Sequence, residues 1–398
     1  MIDISNQFDH FLDRQSAPES SLVLHFLQAC GLSLEENLRS KFRKQLTHAS
    51  IREGVRIFPL FKYKDVDLII LDETSFMHTG TFKAIDGCMI SAYCKVMGIN
   101  QIVAESGGNN GTALAEYCHK LGIELYCFIP SDNLASIPEQ TFMRPGNHLM
   151  AVRQRHMVKD VAHLFATQRG IPLIQMVEWR MEAAMLRGLF ILEQLLSGEK
   201  FDWFSQTISA AFGPIGIYRV LQRHYQPEDL PRFLGIQQAA NCPMYQMWSG
   251  RTYSNARISS KDESLLVPVM YDAHPQTHGT FQELADLLSL ARGTLTIIDN
   301  SEFDQFLNRK FSGKTPQQWL ADHNLIIWQN REKPLEKAGL LAMAGLIKEI
   351  DQGTISAGSR VLCSITGGSR QIFNSAIPDY LIDHISQVER MYSSVSCR

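Results

Sequence analysis

The amino-acid sequence predicts an α/β fold, and two regularities of the chain favour this class. Short apolar segments of strand length alternate with longer segments whose apolar residues recur at helical spacing. Loops rich in small residues connect many of these segments, and such alternation is typical of a parallel sheet with crossover helices. The length of 398 residues favours two or three structural units over one.

The predicted elements follow in order along the chain. Residues 1–50 are predicted to be helical, because apolar residues recur at helical spacing after plausible capping residues. Strands are predicted where short apolar runs occur, at 66–71, 101–104, 124–129, 172–176, 203–208, 232–236 and 361–365. Helices are predicted at 84–97, 112–121, 157–169, 181–196 and 335–349. A further helix is predicted to follow loop 209–216 and to continue through residue 221.

Composition and charge argue against several classes of function. The net charge of −3 does not point to a general binder of nucleic acid or of membrane surfaces. The first residues lack the basic start and apolar run of a signal peptide, and no apolar run approaches the ~20 residues that span a bilayer. The 8 cysteines form no Cys-x-x-Cys pair and the 13 histidines show no metal-ligand spacing, so we expect a cytoplasmic protein with reduced thiols and no metal.

A lysine carries the strongest functional signal in the chain. Lys83 follows a tight turn, Thr79-Gly80-Thr81, and precedes a predicted helix. The positive end of a helix dipole disfavours an ammonium group, and a neutral lysine amine is a strong nucleophile toward carbonyl groups. Such a lysine is well placed to form an imine with an aldehyde cofactor, although most lysines are solvated surface charges.

Three further segments have both a functional and a structural interpretation. The Gly/Asn-rich loop 105–111 opens a helix, where backbone amides bind an anion such as a substrate carboxylate, or it is simply a polar turn. Loop 209–216 is either a phosphate cradle or a tight connection packed around Phe212. Thr366 ends an apolar strand, where ligands gather in open α/β sheets, or its hydroxyl closes a turn. Together with Lys83, the Gly/Asn-rich loop suggests a pyridoxal-phosphate enzyme.

Several segments between residues 58 and 370 resemble, in order, motifs of the fold type II (tryptophan-synthase-β-like) pyridoxal-phosphate enzymes, and of threonine synthases in particular. Phe58-Pro59-Leu60 is similar to Thr-Pro-Leu, and His78–Lys83 is similar to Pro-Thr-Gly-Ser-Phe-Lys. Ser106–Gly111 resembles Thr-Ser-Gly-Asn-Thr-Gly, and Ile365–Gly368 resembles Leu-Thr-Gly. Two further stretches favour the threonine-synthase branch, and these are Trp179–Ala183 and Pro231–Gln237.

The resemblance implies two open αβα domains with the active site in the cleft between them, together with an N-terminal helical extension. The larger domain would comprise 1–85 and 190–398, with 1–50 as the extension, and the smaller, mobile domain would comprise 86–189. The resemblance also implies pyridoxal 5'-phosphate bound to Lys83 and, by family analogy, a homodimer.

The site residues are likewise those that the resemblance implies. Lys83 would form the Schiff base, Asn109 would bond the ring oxygen, and Thr366 would face the ring nitrogen. The cofactor phosphate would be held by residues of the loop 209–216, namely Ala210, Ala211, Phe212, Gly213 and Gly216. Substrate contacts would come from the lysine turn and the Gly/Asn-rich loop, namely Thr79, Thr81, Ser106, Gly107, Gly108, Asn110 and Gly111.

The chain departs from the family pattern at several positions. Ile85 replaces an arginine two residues after the lysine, and Gly107 and Asn110 replace the serine and threonine that help to hold a substrate carboxylate. Residues 210–212 interrupt a phosphate loop that is usually richer in glycine, and the glutamate before the late helix appears as Lys333-Pro334. Cofactor binding is still expected, whereas the identity of the substrate stays open.

Three functional hypotheses follow, in order of preference. The first is a threonine-synthase-like lyase that eliminates phosphate, or a similar leaving group, from an amino acid such as O-phosphohomoserine and adds water. In this reaction Lys83 would move protons as general base and acid. The second is a β-replacement synthase, like cysteine or cysteate synthases, in amino-acid or specialised-metabolite biosynthesis. The third is a non-catalytic binding or regulatory relative that lacks the cofactor.

Overall fold

The computed structural model describes residues 36–51, 54–106, 108–174, 177–250, 265–272, 280–325, 328–330, 333–334, 336–367 and 374–388. Their strands are β1 (Arg56–Tyr63), β2 (Val66–Asp72), β3 (Gln101–Glu105), β4 (Glu124–Pro130), β5 (Asn147–Val152), β6 (Trp203–Thr207), β7 (Arg232–Gln238), β8 (Thr294–Ile298), β9 (Trp328–Asn330), β10 (Lys333–Pro334), β11 (Arg360–Ile365) and β12 (Tyr380–Ile382). Their α-helices are α1 (Glu36–Ala49), α2 (Lys83–Val96), α3 (Asn109–Leu121), α4 (Glu139–Phe142), α5 (Val158–Arg169), α6 (Val177–Leu196), α7 (Phe212–Leu221), α8 (Pro243–Ser249), α9 (Thr280–Leu290), α10 (Asn300–Asn308), α11 (Pro316–Asp322) and α12 (Lys337–Asp351).

The described residues form two compact units. The first unit contains 54–82 and the described part of 180–371, and the second contains 36–51, the described part of 83–179, and 374–388. The predicted domains differ from these units at both ends of the chain, because they assign 36–51 and 374–388 to the larger domain. In the structure α1 packs against α2, and β12 pairs with β5, so both segments belong to the second unit. The rest of the predicted N-terminal extension lies outside the described residues.

Within the described residues, the first unit is built on a six-stranded sheet in the order β1-β2-β11-β6-β7-β8. The strands from β2 to β8 in this order run parallel, and β1 pairs antiparallel with β2. Strand β2 is buried along almost its whole length, as expected for a strand covered on both faces. Strand β1 lies at the edge, where Pro59, which has no N–H to donate, sits at a shift in register.

Because β2, β11 and β6 are parallel neighbours, their carboxyl ends meet at one edge of the first sheet. Glu73 follows β2, Thr366 follows β11, and Gln206 lies near the end of β6. Helix α12 packs across β11, β6, β7 and β8 with a buried apolar surface, which keeps these strand ends in place. Polar side chains at this edge are therefore presented by a rigid scaffold.

The second unit has a four-stranded parallel sheet among its described residues, in the order β12-β5-β4-β3. Helices α3 and α5 pack on its strands, and α2 packs on α3. The predicted strand 172–176 is reduced to one bridge between Leu173 and Val103, and residues 175 and 176 lie outside the described part. The predicted α/β class with parallel sheets is confirmed. Among the helices that the structure describes, none is long and apolar enough to cross a membrane.

Candidate active site

The lysine turn is attached to the end of β11. Thr79 and Thr81 are buried, with 4% and 3% of their surface exposed. Thr81 forms a β-bridge with Gly367, and the amide of Phe82 donates a hydrogen bond of 3.1 Å to the carbonyl oxygen of Thr366. The structure therefore brings the turn before the lysine together with Thr366, as expected if both contact one ligand.

Lys83 itself is the first residue of α2 and forms an ion pair within that helix. Its Nζ atom lies 2.5 Å from Oδ2 of Asp86, three residues later on the same face. The Asp86 side chain is 1% exposed, and its Oδ1 atom has no hydrogen-bond partner within the described residues. A carboxylate buried to this degree is costly without an opposite charge, and the ion pair with Lys83 compensates the charge of Asp86.

A buried arginine connects the three strand ends of the first unit. The Nε and Nη2 atoms of Arg187, on α6, donate to the two carboxylate oxygens of Glu73 at 2.6 Å and 2.5 Å. Nη2 also donates to Oε1 of Gln206 at 2.8 Å, and the Ser364 hydroxyl donates to Glu73 at 2.5 Å. Both charged side chains have 0% exposure. These four residues are called the Arg187 cluster below.

One nitrogen of the cluster has no hydrogen-bond partner in the described part of the chain. It is Nη1 of Arg187, and it is buried. A Cβ atom placed on Gly213 would lie 2.4 Å from this Nη1 and 2.9 Å from Nε2 of Gln206. Glycine at this position thus lets the beginning of α7 lie directly against the guanidinium. The helix has no side-chain cap, and Ala211 before it adopts a φ of 62°. An uncapped helix start beside a guanidinium N–H group is suited to bind a phosphate.

The predicted phosphate loop is shorter in the structure than in the sequence analysis. Helix α7 begins at Phe212, so Gly213 and Gly216 lie in its first turns and the predicted loop 209–216 is wrong in its length. Ala210 and Ala211 are buried before the helix. The ring of Phe212 lies 5.7 Å from the guanidinium carbon of Arg180, so this side chain has a packing role. Pro214 is compatible with this helix start, because the N–H groups of the first turn have no partner within the helix.

A buried carboxyl group lies next to Thr366. The Oε1 atom of Glu336 accepts hydrogen bonds from the amides of Gly339 at 2.6 Å and Gly367 at 3.2 Å. Burial raises the pKa of Glu336 to about 8, although these two amides act in the opposite direction. The Oε2 atom has no partner among the described residues. The sequence analysis placed Lys333-Pro334 where the family has a glutamate before the late helix, and in the structure Glu336 is the residue immediately before α12.

In the second unit, the Gly/Asn-rich loop is organised by its serine. The Ser106 hydroxyl accepts hydrogen bonds from the amides of Gly108 at 3.0 Å and Gly111 at 2.8 Å, so it is engaged within the loop. Helix α3 begins at Asn109, three residues earlier than predicted, and has no side-chain cap. Gly107 lies outside the described residues.

Asn110 is the polar residue of this loop that the local structure leaves unsatisfied. It is 9% exposed, and both its Oδ1 and its Nδ2 have no hydrogen-bond partner in the described ranges. Asn109 is less buried. A Cβ atom on Gly111 would lie 2.5 Å from the sulfur of Cys127, so this glycine is required for packing of α3 on β4, whatever its role toward a ligand. The free amide of Asn110 at a helix start is suited to bind a carboxylate.

Comparison with known proteins agrees with this geometry. The family model described as pyridoxal-phosphate dependent enzyme matches residues 52–287. The chain belongs to this family. A threonine synthase of Mycobacterium bovis is 23% identical over 327 residues, which cover 79% of this chain and 81% of that protein.

Solved structures of the family share the fold. Maize serine racemase matches with a TM-score of 0.59 and 15% identity, covering 89% of this chain and 98% of that chain. O-ureido-L-serine synthase matches with a TM-score of 0.54 and 13% identity, covering 79% of this chain and 89% of that chain. The predicted fold type and the predicted cofactor, pyridoxal 5'-phosphate, are confirmed. The chain is therefore a pyridoxal-phosphate-dependent enzyme, and the hypothesis of a cofactor-free relative has no support.

The predicted site residues fall into two groups, one in each unit. The first unit contains Thr79, Thr81, Ala210, Ala211, Phe212, Gly213, Gly216 and Thr366. The second contains Lys83, Ser106, Gly108, Asn109, Asn110 and Gly111. The residues present fit the cofactor, because the unpaired Nη1 lies beside the uncapped start of α7, and both suit its phosphate. The roles of the individual residues remain predictions.

Sequence reasoning missed Asp86, Glu73, Arg187 and Glu336. Two of them carry a signal that could have been used. Arg187 is the single charged residue between Glu182 and Glu193, in an otherwise apolar helical segment, and a charge there is buried and paired. Asp86 follows Lys83 at the i, i+3 spacing that favours an ion pair on a helix.

Proposed function

We propose that this enzyme is a lyase of threonine-synthase type, which eliminates phosphate or a similar leaving group from an amino acid such as O-phosphohomoserine and adds water. The observation that carries this proposal is the pair formed by Lys83 Nζ and Asp86 Oδ2, at 2.5 Å. Elimination and the addition of water both require a side chain that removes protons from the substrate and returns them to it. The similarity to a threonine synthase over 79% of the chain supports the substrate class.

The site residues would have separate roles. Lys83 would bind the cofactor covalently at rest, Asn109 would contact its ring oxygen, and Thr366 its ring nitrogen. The beginning of α7 would hold its phosphate. When bound, pyridoxal phosphate withdraws electrons from the carbon beside the substrate's amino group. The unpartnered amide of Asn110, with the first amides of α3, would bind the substrate carboxylate.

Proton transfer is assigned to the Lys83–Asp86 pair. Asp86 Oδ2 lies 2.5 Å from Nζ, and its buried carboxylate would hold the lysine side chain in position. Lys83 would act as general base and acid, taking a proton from the substrate carbon and returning it later in the reaction.

The first experiment locates the cofactor. Borohydride reduction of the holoenzyme followed by peptide mapping should find the reduced adduct at Lys83. Lys95→Ala, which changes an exposed lysine at the other end of α2, is the matched control and should not alter the adduct. An adduct on another lysine would contradict the assignment of Lys83.

The second experiment identifies the substrate. Purified holoenzyme is supplied with O-phosphohomoserine, and released phosphate and threonine are measured together. Both products should appear in equal amounts, and Lys83→Ala should abolish them. No turnover of this compound, beside good turnover of another amino acid in the same panel, would reject the substrate assignment while leaving the cofactor assignment intact.

A β-replacement synthase is the second candidate, and Asn110 favours it. This residue occupies the position of the family's threonine, and its buried amide has no partner within the described residues, so the carboxylate site differs from the family pattern. The fold shared with O-ureido-L-serine synthase is compatible with this chemistry. Consumption of a β-substituted alanine that accelerates on addition of sulfide, sulfite or an amine would favour this candidate. The absence of any such acceleration would favour the lyase.

A further inference from the structure

We propose that Arg187 binds the phosphate of the cofactor directly through Nη1, and that the Arg187 cluster is a fixed cationic part of the phosphate site. The proposal rests on pyridoxal phosphate as the cofactor of this chain and extends the predicted phosphate site, which consisted of loop residues only. Three observations carry it: the unmet donors of Nη1, the close approach of the uncapped start of α7 at Gly213, and the rigid support of the guanidinium.

The first observation concerns hydrogen bonding. A guanidinium group has five N–H donors, and burial is costly when donors are left without acceptors. Nε and Nη2 of Arg187 donate to Glu73 and Gln206, whereas the buried Nη1 has no partner among the described residues. An acceptor that is not part of this chain would satisfy it. The oxygen atoms of a phosphate are the acceptors that arginine favours.

The second observation gives the direction of Nη1. The backbone of Gly213 passes so close that a Cβ atom would lie 2.4 Å from Nη1, and this glycine belongs to the first turn of α7. The helix lacks a side-chain cap. The positive end of the helix and the unpaired guanidinium nitrogen are therefore neighbours, and an anion at the helix start would be within reach of both.

The third observation is that the guanidinium cannot move away from this position without loss. Two parallel hydrogen bonds to Glu73 fix its plane, and the ring of Phe82 lies 4.2 Å from its central carbon. Ser364 and Gln206 hold the partner groups. Such a support lets Nη1 act as a preorganised ligand. Glu73 also compensates the charge of Arg187, so the site is stable before the anion binds.

A lysine would not replace this residue. Its ammonium group is a point charge and cannot satisfy both oxygens of Glu73 while presenting a second nitrogen toward Gly213. The planar fork of arginine does both at once. The phosphate site of this chain would therefore combine backbone amides with one side-chain cation, which offsets the small number of glycines in residues 210–212.

The test compares two forms of the cofactor, because pyridoxal lacks the phosphate and pyridoxal 5'-phosphate carries it. Dissociation constants of both are measured by absorbance and fluorescence titration for the wild type, Arg187→Met and Gly213→Ala. Arg187→Met with Glu73→Gln is added, because the single change leaves a buried carboxylate without its partner and endangers folding. Arg219→Met, at the far end of α7, is the control.

The expected result is a selective loss. Removing a charge-assisted hydrogen bond should weaken binding of pyridoxal 5'-phosphate roughly 10- to 100-fold in the arginine variants, with less than about a threefold change for pyridoxal. Gly213→Ala should show the same selectivity, because its methyl group would cover Nη1. The phosphorus resonance of the bound cofactor should also shift in each of these variants and stay unchanged in Arg219→Met.

Two outcomes would overturn the proposal. An equal loss of affinity for both forms, with an unchanged phosphorus resonance, would mean that Arg187 supports the fold alone. Wild-type affinity in the double variant would mean that Nη1 does not contact the phosphate. The wild-type titration tests cofactor binding independently of the variants. If the wild type does not bind pyridoxal 5'-phosphate, the proposed function is rejected, and not only the role of Arg187.

Discussion

The buried carboxyl group of Glu336 makes the stability of the chain depend on pH in a predictable way. Burial raises its pKa from 4.5 to about 8, so the folded chain holds this proton more tightly than the unfolded chain does. Its contribution to stability is therefore complete below pH 4.5 and is lost as the pH rises toward 8. At about 1.4 kcal/mol per pKa unit, the loss over this window is on the order of 5 kcal/mol.

Replacement of Glu336 by glutamine should remove this dependence. The amide oxygen of glutamine still accepts from Gly339 and Gly367, so the variant should match the wild type within about 1 kcal/mol at pH 5. At pH 9 it should be more stable by on the order of 5 kcal/mol, because the wild type must bury a charged carboxylate.

Urea unfolding at pH 5, 7 and 9, followed by tryptophan fluorescence and circular dichroism at one cofactor concentration, measures the difference. Glu199→Gln, at a side chain that is 44% exposed, is the control and should show no comparable gain. Parallel curves for the wild type and Glu336→Gln across the three pH values would refute the argument.

Two further predictions concern the second unit. Asp86→Asn removes the charged acceptor beside Lys83 and should slow turnover roughly 100- to 10,000-fold. The dissociation constant of the cofactor should change less than about threefold. Turnover equal to that of the wild type would show that the Lys83–Asp86 pair is only structural. Gly111→Ala should destabilise the chain by about 1–3 kcal/mol in urea, because its methyl group would meet the sulfur of Cys127 at 2.5 Å. Cys127→Ala in the same chain should restore most of that loss, and no rescue would mean that the methyl group conflicts with something else.

Much of the fold was readable from the sequence because its signals are local. Strand β2 was predicted at 66–71 and observed at Val66–Asp72, and helix α2 was predicted at 84–97 and observed at Lys83–Val96. Both are segments whose own composition determines their structure. Strand β1 was not predicted, because Pro59 interrupts its apolar run and the charged residues Arg56 and Lys62 lie near its ends. Pairing with β2 produces the strand.

The candidate site divides in the same way. Lys83 and the Gly/Asn-rich loop could be found because each motif is contiguous. The Arg187 cluster could not, because 114 residues separate Glu73 from Arg187 and 291 separate Glu73 from Ser364. Only folding makes these residues neighbours. Glu336 was missed for a related reason. Its role as the buried cap of α12 is visible only from its hydrogen bonds with the amides of Gly339 and Gly367, and Gly367 is distant in sequence.

The unsatisfied buried atoms carry the remaining functional information. Thr79 Oγ1, Arg187 Nη1 and Glu336 Oε2 in the first unit, and both amide atoms of Asn110 in the second, have no partner among the described residues. Each such group costs about 1–3 kcal/mol, and a stable core has few of them. These five atoms lie in the predicted ligand-contacting segments of each unit or directly beside one, whereas others among the described residues, such as Asn147 Oδ1 and Thr280 Oγ1, do not. A ligand that satisfies one of the five atoms regains this energy, so its binding is thermodynamically coupled to the folding of that segment.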